Sequence, residues 1–314
     1  MRTRWLVAAI ALAIIAMLAL GLLWLDKAGS SHAAARAHPV AMKSASPAAS
    51  GAAPRDASPL PPPNAPLAQV FEPLRAAAAR GNGAAACRLA MEIQRCAAHA
   101  YDVEGLESIK RVPASQLLLK GRFAELFTSA MAQLRAKIGG DAPVCEGVPA
   151  SDVRPWRLLL DAALQGHVPS MARFASRESL RDAKGRGEWD LDAYGAYRAY
   201  AFDFLRRAAG EGDAASIERL GVEHLTRGAG TRAIPFDPVR GLAYLRALSA
   251  RATTEYRKRL EDTAQSLAAS ARMTPADIAA ADTLAATVLP PEVLARLDGI
   301  ANPVHGPEDD FGCR

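Results

Sequence analysis

The sequence lacks the short motifs that mark the common catalytic and nucleotide-binding sites. Its 314 residues contain no Gly-x-Ser-x-Gly, His-Glu-x-x-His, Ser-x-x-Lys, Gly-x-x-x-x-Gly-Lys or Cys-x-x-Cys. Each of these motifs fixes a nucleophile, a metal or a phosphate in one local geometry, so its absence argues against that chemistry. The sequence therefore predicts a protein that is not an enzyme and uses no cofactor.

The six histidines form no cluster of metal-ligand spacing. His167 lies at a predicted turn, and His224 lies on a predicted helix, where its phase places it off the buried face. The segment His305–Cys313 contains residues of metal-ligand type, but a terminal segment offers no second shell to position them. We expect no metal site.

Lysine is scarce, with 7 residues against 31 arginines, and the formal net charge is +5. The basic clusters Arg206-Arg207 and Arg257-Lys258-Arg259 lie on helices that also carry glutamates, which is typical of a solvated face. We therefore expect no nucleic-acid partner. An acidic cell-wall polymer stays open as a partner, because a basic groove attracts anions.

No run of alternating apolar and polar residues suggests a strand, and the fold class is predicted to be all-α. Asp237-Pro238 and Thr274-Pro275 are typical helix starts, and Gly228 is predicted to end the helix from Ala214. A long apolar-periodic segment, residues 113–138, predicts a further helix.

Three stretches repeat one pattern of residue types: Phe71–Ala90, Trp156–Ala175 and Phe202–Gly221. Around a central glycine, each has an aromatic ten residues before, a leucine seven before, an alanine pair four and three before, and a large apolar residue eight after. The residues are Phe71, Leu74, Ala77, Ala78, Gly81 and Leu89, then Trp156, Leu159, Ala162, Ala163, Gly166 and Phe174, then Phe202, Leu205, Ala208, Ala209, Gly212 and Leu220. The pattern predicts a repeated helix–turn–helix unit.

The spacing within the unit has a physical basis. The aromatic, the leucine and the alanines share one face of a first helix, and the glycine ends that helix in the left-handed conformation. A small residue nine after the glycine (Ala90, Ala175, Gly221) is expected to let the two helices of the unit approach closely. Because one such pair cannot bury its own apolar stripe, several pairs are expected to stack into an α-solenoid.

The segments Ala77–Ala90 and Ala208–Gly221 resemble the SEL-one-like repeats, which are relatives of the tetratricopeptide repeats. The second copy departs from that pattern at His167 and Pro169, and a weaker fourth copy aligns Leu245 with Leu205. The resemblance implies a helical repeat domain at 67–300, with repeats near 67–98, 150–180, 191–228 and 238–270. It also implies binding of proteins through the concave surface of the repeats. No copy is found between residues 99 and 150.

The N-terminal residues predict a membrane anchor. Arg2 and Arg4 precede an uncharged run from Trp5 to Leu25, which at 21 residues is long enough to span a bilayer. The flanking charges orient residues 1–27 with the N-terminus in the cytoplasm, so the rest of the chain is expected in the periplasm of a bacterium. A cleaved signal peptide, with a site near Ala33–Ala35, is the alternative.

Two further segments are expected to lack a core. Residues 28–66 are rich in alanine, serine and proline, and they predict a disordered linker between the inner membrane and the repeats. Residues 301–314 are predicted to be a C-terminal tail.

Four cysteines follow the predicted membrane span, in a compartment where disulfides form. Three connectivities are possible. Cys87 and Cys96 lie nine residues apart, on opposite sides of one helix, which argues against a bond between them. We expect a bond from Cys96 to Cys145, and Cys313 is the partner left for Cys87. Alternatively, Cys87 is a small buried apolar residue and Cys313 a mobile thiol.

Aromatic residues are few, and four of them precede the third repeat: Trp189, Tyr194, Tyr197 and Tyr200. Such a cluster suits an interface, but the helical spacing favours a core position. Two function classes remain. The first, which we favour, is a non-catalytic, membrane-tethered scaffold that binds envelope proteins or peptides. The second is an envelope enzyme or a protein that binds cell-wall material or β-lactams, as in cysteine-rich relatives of the repeat.

Overall fold

The fold is all-α in a computed structural model that describes residues 59–62, 65–112, 122–148, 152–176, 191–226, 233–301 and 312–313. Eleven helices occupy these ranges: α1 (Leu67–Ala79), α2 (Gly83–Lys110), α3 (Arg122–Cys145), α4 (Pro155–Leu164), α5 (Val168–Phe174), α6 (Leu191–Gly210), α7 (Ala214–Leu225), α8 (Pro238–Ser249), α9 (Thr254–Ser270), α10 (Pro275–Ala285) and α11 (Pro291–Arg296). Among the described residues, the β-type pairing consists of one isolated bridge between Ala252 and Ile300.

Local sequence signals account for several helix ends. The Asp237 side chain accepts a hydrogen bond from the amide of Arg240, and Thr274 forms a capping box with Asp277, so both predicted starts are confirmed. Helix α7 ends at Leu225, before the predicted Gly228, which lies outside the described residues. Helix α3 begins at Arg122 and extends past the predicted end at residue 138.

Helices that follow one another in sequence pack against one another. The contacts run from α1 to α2, then through α4, α5, α6, α7 and α8 to α9, while α3 packs beside α2 and α10 packs on α8. Two apolar clusters result. The smaller is formed by α1 and the start of α2, and the larger extends from the other face of α2 to α11. Helix α2 therefore contributes to both cores.

The structure differs from the predicted boundaries at both ends of the helical region. Near the end of the predicted linker, Leu60 and Ala65 pack against the smaller core. The buried guanidinium of Arg88 donates hydrogen bonds to the carbonyl oxygens of Pro61 and Pro62. In the predicted tail, Cys313 is fully buried. Both segments thus contain residues that belong to the folded unit.

The predicted membrane helix, residues 1–27, lies outside the described residues. None of the helices α1 to α11 combines the length and the apolar character that a membrane span requires.

Candidate functional site

The three glycine turns have one geometry. Gly81, Gly166 and Gly212 have φ angles of +88°, +91° and +88°. In each turn, the amide of the following residue donates to the carbonyl oxygen of the alanine four before the glycine. These bonds join Asn82 to Ala77, His167 to Ala162 and Asp213 to Ala208, with N–O distances of 3.1, 3.0 and 3.0 Å. The three copies of the sequence pattern therefore end their first helices with the same backbone geometry.

The residue after each glycine also starts the second helix. The side chains of Asn82, His167 and Asp213 accept hydrogen bonds from the amides of Ala85, Ser170 and Ser216, at 2.9, 3.3 and 2.7 Å. His167 departs from the pattern in residue type, yet its Nδ1 atom serves as the N-cap acceptor that an acid or amide provides in the other two turns. It is a turn residue, as its position predicts.

The side chains of the repeated pattern are buried, with two exceptions. Ala78 and Phe202 are half buried. Two residues further along α6, Phe204 is buried, and its ring meets that of Phe174 edge to face at a centroid distance of 5.6 Å. Phe202 instead contacts His224 at 5.8 Å. The third copy therefore places its aromatic differently from Phe71 and Trp156.

The sequence predicts that the small residue nine after the glycine brings the two helices of one unit together. At Gly221 the close approach is instead to the helix of the next unit. A Cβ atom added to Gly221 on α7 would lie 2.6 Å from Leu245 Cγ on α8. A Cβ atom added to Gly241 would lie 2.7 Å from the carbonyl oxygen of Gly221. The two glycines bring the backbones of α7 and α8 together, because neither glycine has a side chain to hold the helices apart.

A groove between α4 and α6 presents exposed apolar side chains. We call it the α4–α6 groove; its volume is about 810 Å³. Its apolar lining comprises Trp156, Leu160, Leu164, Leu191 and Tyr200. Leu164 is 52% exposed and Leu191 is 82% exposed. Since such residues are normally buried, their grouping on one surface indicates an interaction site.

Charged residues of both signs surround this groove. Arg154 Nη1 lies 3.3 Å from Asp192 Oδ2 and links the starts of α4 and α6. Arg157 forms a 3.5 Å ion pair with Asp161, and its guanidinium lies 5.9 Å from the centroid of the Trp156 ring. An apolar surface surrounded by charged residues of both signs has the core-and-rim arrangement of protein-binding surfaces.

The aromatic cluster before the third turn divides between core and surface. Tyr197 is fully buried, and Tyr194 packs partly against the core. Tyr200 is 37% exposed, lines the α4–α6 groove, and stacks on Phe204. Trp189 lies outside the described residues. The core interpretation therefore holds for Tyr197, and the interface interpretation suits the position of Tyr200.

The predicted surface position of His224 is wrong. His224 is 2% exposed, and its ring stacks on that of Tyr244 at 6.1 Å. The Nδ1 atom lies 2.7 Å from the carbonyl oxygen of Pro235, so it carries the proton and donates. Burial lowers the pKa of His224, against the raising effect of the Pro235 hydrogen bond. The prediction fails because α8, which the helical phase of α7 does not reveal, covers this side of the helix.

Titratable side chains join α7 to α9. Arg259 on α9 donates two hydrogen bonds to Glu218 on α7, at 2.8 and 2.7 Å, and the Tyr256 hydroxyl donates a third at 2.8 Å. Burial and the Glu218 carboxylate raise the pKa of Tyr256 far above its usual range. These hydrogen bonds hold α7 and α9 together.

A buried ion pair lies within α2. Arg88 and Glu92 are 1% and 2% exposed, and Arg88 Nε lies 3.7 Å from Glu92 Oε1. Burial raises the pKa of Glu92, although Arg88 and Arg95 act in the opposite direction. Because Arg88 also donates to the carbonyl oxygens of Pro61 and Pro62, it fastens the chain before α1 to α2.

Both pairs of cysteines are bonded. Cys96 joins Cys145, linking α2 to the end of α3, with a Cα–Cα distance of 5.2 Å. Cys87 joins Cys313 with a Cα–Cα distance of 5.6 Å, linking α2 to the C-terminal residues. The alternative of a mobile thiol at Cys313 does not describe this structure. Each bond fixes a segment that lies outside the repeated pattern.

Comparison with known proteins gives no relative. No protein-family model, curated protein or solved structure matches the chain. Within the ranges that the structure describes, no three His, Cys, Asp or Glu side chains are grouped so that they could hold a metal ion. The α4–α6 groove is accordingly the candidate functional site.

Proposed function

We propose that the chain is a non-catalytic scaffold of the bacterial envelope that binds a protein or peptide segment in the α4–α6 groove. The single observation that carries this proposal is the composition of the groove. It combines exposed leucines with Trp156, Tyr200 and two arginines, and tryptophan, tyrosine and arginine are the residue types that supply most of the energy of protein interfaces.

The repeated turns support a relationship to the SEL-one-like repeats. Three helix ends share their backbone conformation, their hydrogen bonds and the N-cap that follows. Successive helix pairs that pack side by side are the building principle of an α-solenoid, whose surfaces bind partners without catalytic residues. We propose this relationship on the residue pattern and the turn geometry alone.

The proposed location is the periplasmic face of the inner membrane. The apolar run of residues 5–25 would anchor the chain, and the alanine, serine and proline segment that follows would hold the helices away from the bilayer. Two disulfides within the helical region fit an oxidising compartment. Fractionation of cells that produce the full chain tests this part, since recovery in the soluble cytoplasm would contradict it.

Capture of a partner from crosslinked envelopes tests the groove. Leu164→Asp places a carboxylate on its apolar floor, and because Leu164 is half exposed in the free chain the fold should survive. The matched control is Leu126→Asp on α3, since Leu126 is 56% exposed and lies outside the groove. We expect a saturable partner that is lost with Leu164→Asp and kept with Leu126→Asp. Equal recovery of the partner with both variants would contradict the groove as its binding site, and recovery of only abundant envelope proteins would favour the enzyme or cell-wall-binding alternative.

A further inference from the structure

A second cavity lies between α6, α8 and the segment that follows α10. Its volume is about 450 Å³, and it shares no residue with the α4–α6 groove. One side presents Arg206 from α6 with Arg240 and Tyr244 from α8. The other side presents Leu284, Val288 and Leu289. The cavity is therefore lined by cationic residues from α6 and α8 and by apolar residues from the end of α10 and the segment after it.

The two arginines are only loosely compensated by carboxylates. Arg206 Nη1 lies 3.8 Å from Asp203 Oδ1, and Arg240 Nε lies 3.7 Å from Asp237 Oδ2. Both distances exceed that of a hydrogen bond, and both pairs are exposed to solvent. Each guanidinium keeps donors available to a ligand.

Tyr244 adds a buried polar group. It is 9% exposed, and its side chain lines the cavity. The stacked ring of His224 holds it in place. Burial raises the pKa of Tyr244, the charges of Arg240 and Arg206 lower it, and that of Asp237 raises it. The phenol therefore lies within electrostatic reach of both guanidinium groups, and it stays protonated as a donor at neutral pH.

These features select one ligand chemistry. Two guanidinium groups and a phenol hydroxyl donate to an anion, and a carboxylate accepts such donors with both oxygens. The apolar wall would cover an aliphatic group next to that carboxylate, whereas an inorganic phosphate offers it no apolar surface.

We propose that this cavity binds a carboxylate that carries an aliphatic group, as at the C-terminus of a peptide or beside an acidic side chain. Its volume admits a ligand of one or two residues. The proposal is independent of the α4–α6 groove, so either can fail without the other.

Ligand-observed NMR with the full chain measures the binding. The probes are N-acetylleucine, its amide, N-acetyl-leucyl-aspartate diamide and inorganic phosphate. We expect N-acetylleucine to bind and its amide not to bind. Binding of the aspartate probe would extend the site to acidic side chains, and its absence would restrict the site to C-terminal carboxylates. Equal binding of acid and amide, or tighter binding of phosphate than of N-acetylleucine, would overturn the proposal.

Variants assign the binding to this cavity. Arg206→Gln and Arg240→Gln should each weaken binding about two- to fivefold, the range for an exposed charge pair. Tyr244→Phe should weaken it as well, because it removes the donor and keeps the ring. The control is Arg246→Gln, on the same helix but outside the cavity, where the arginine pairs with Asp282 at 3.3 Å. Unchanged binding in both cavity-arginine variants would contradict the site, even if Tyr244→Phe failed to fold.

Discussion

Replacing Gly221 by alanine should destabilise the chain, although the same change ordinarily stabilises a helix. An alanine is favoured over glycine inside a helix by about 1 kcal/mol. At Gly221, however, the new Cβ atom would lie 2.6 and 2.7 Å from Leu245 Cγ and Cδ2, and 3.1 Å from the carbonyl oxygen of Gly241. Leu245 is fully buried, so it has no free space to move into.

The expected change in the free energy of unfolding follows from these two opposing effects. Overpacking a filled core costs about 1 to 3 kcal/mol, and the helix preference returns about 1 kcal/mol. The net loss is about 1 kcal/mol, which corresponds to roughly 2 to 4 °C in Tm for a domain of this size. Gly241→Ala should lower the free energy of unfolding further, because its Cβ would lie 2.7 Å from the backbone oxygen of Gly221.

The matched control is Gly105→Ala in α2, where a Cβ atom would meet nothing within 4 Å. The free energy of unfolding of this variant should be about 0.5 to 1 kcal/mol higher than that of the wild type. Urea unfolding followed by circular dichroism at 222 nm, with the disulfides intact, gives both numbers. If Gly221→Ala were as stabilising as Gly105→Ala, the reasoning that α7 and α8 cross at backbone contact would be refuted.

Three further predictions concern buried groups and disulfides. The folded chain lowers the pKa of His224, so the unfolded chain binds a proton there more readily. The free energy of unfolding should therefore fall as the pH falls from about 7 towards 5. The variant His224→Phe should lack this part of the decline. A wild-type-minus-variant difference that stays constant between pH 5 and 7 would contradict this. Arg88→Met should lower the free energy of unfolding by about 3 to 5 kcal/mol, because it leaves Glu92 and two carbonyl oxygens unpaired. Adding Glu92→Met should restore part of this free energy, as measured by urea unfolding. A double variant no more stable than the single one would contradict the pairing. Peptide mapping without reduction should recover the linked pairs Cys87–Cys313 and Cys96–Cys145. From the loss of chain entropy in the unfolded state, their loops of 226 and 49 residues should stabilise the folded chain by about 5 and 4 kcal/mol. Free thiols at either pair would contradict that pairing.

The helix–turn–helix units could be predicted from the sequence because the signals are local. A glycine with positive φ, the residue that caps the next helix and the apolar spacing all lie within twenty residues of one another. The N-cap side chains and proline starts of α8 and α10 are local in the same way.

Long-range packing set the limit of prediction for the candidate sites. His224 is buried by α8, and Gly221 contacts Leu245 of the next helix pair. The α4–α6 groove depends on how two separate helices lie side by side, so its residues could be seen as exposed only in the structure. The arginine clusters, interpreted as solvated faces, gave no indication that Arg206 and Arg240 line one cavity.

Site-specific photo-crosslinking in intact cells tests the central claim most directly. A photoreactive residue at position 164, in the α4–α6 groove, is compared with one at position 126, on the exposed side of α3. The scaffold account predicts one discrete crosslinked protein from position 164 and none from position 126. The same products from both positions, or none from position 164, would contradict it.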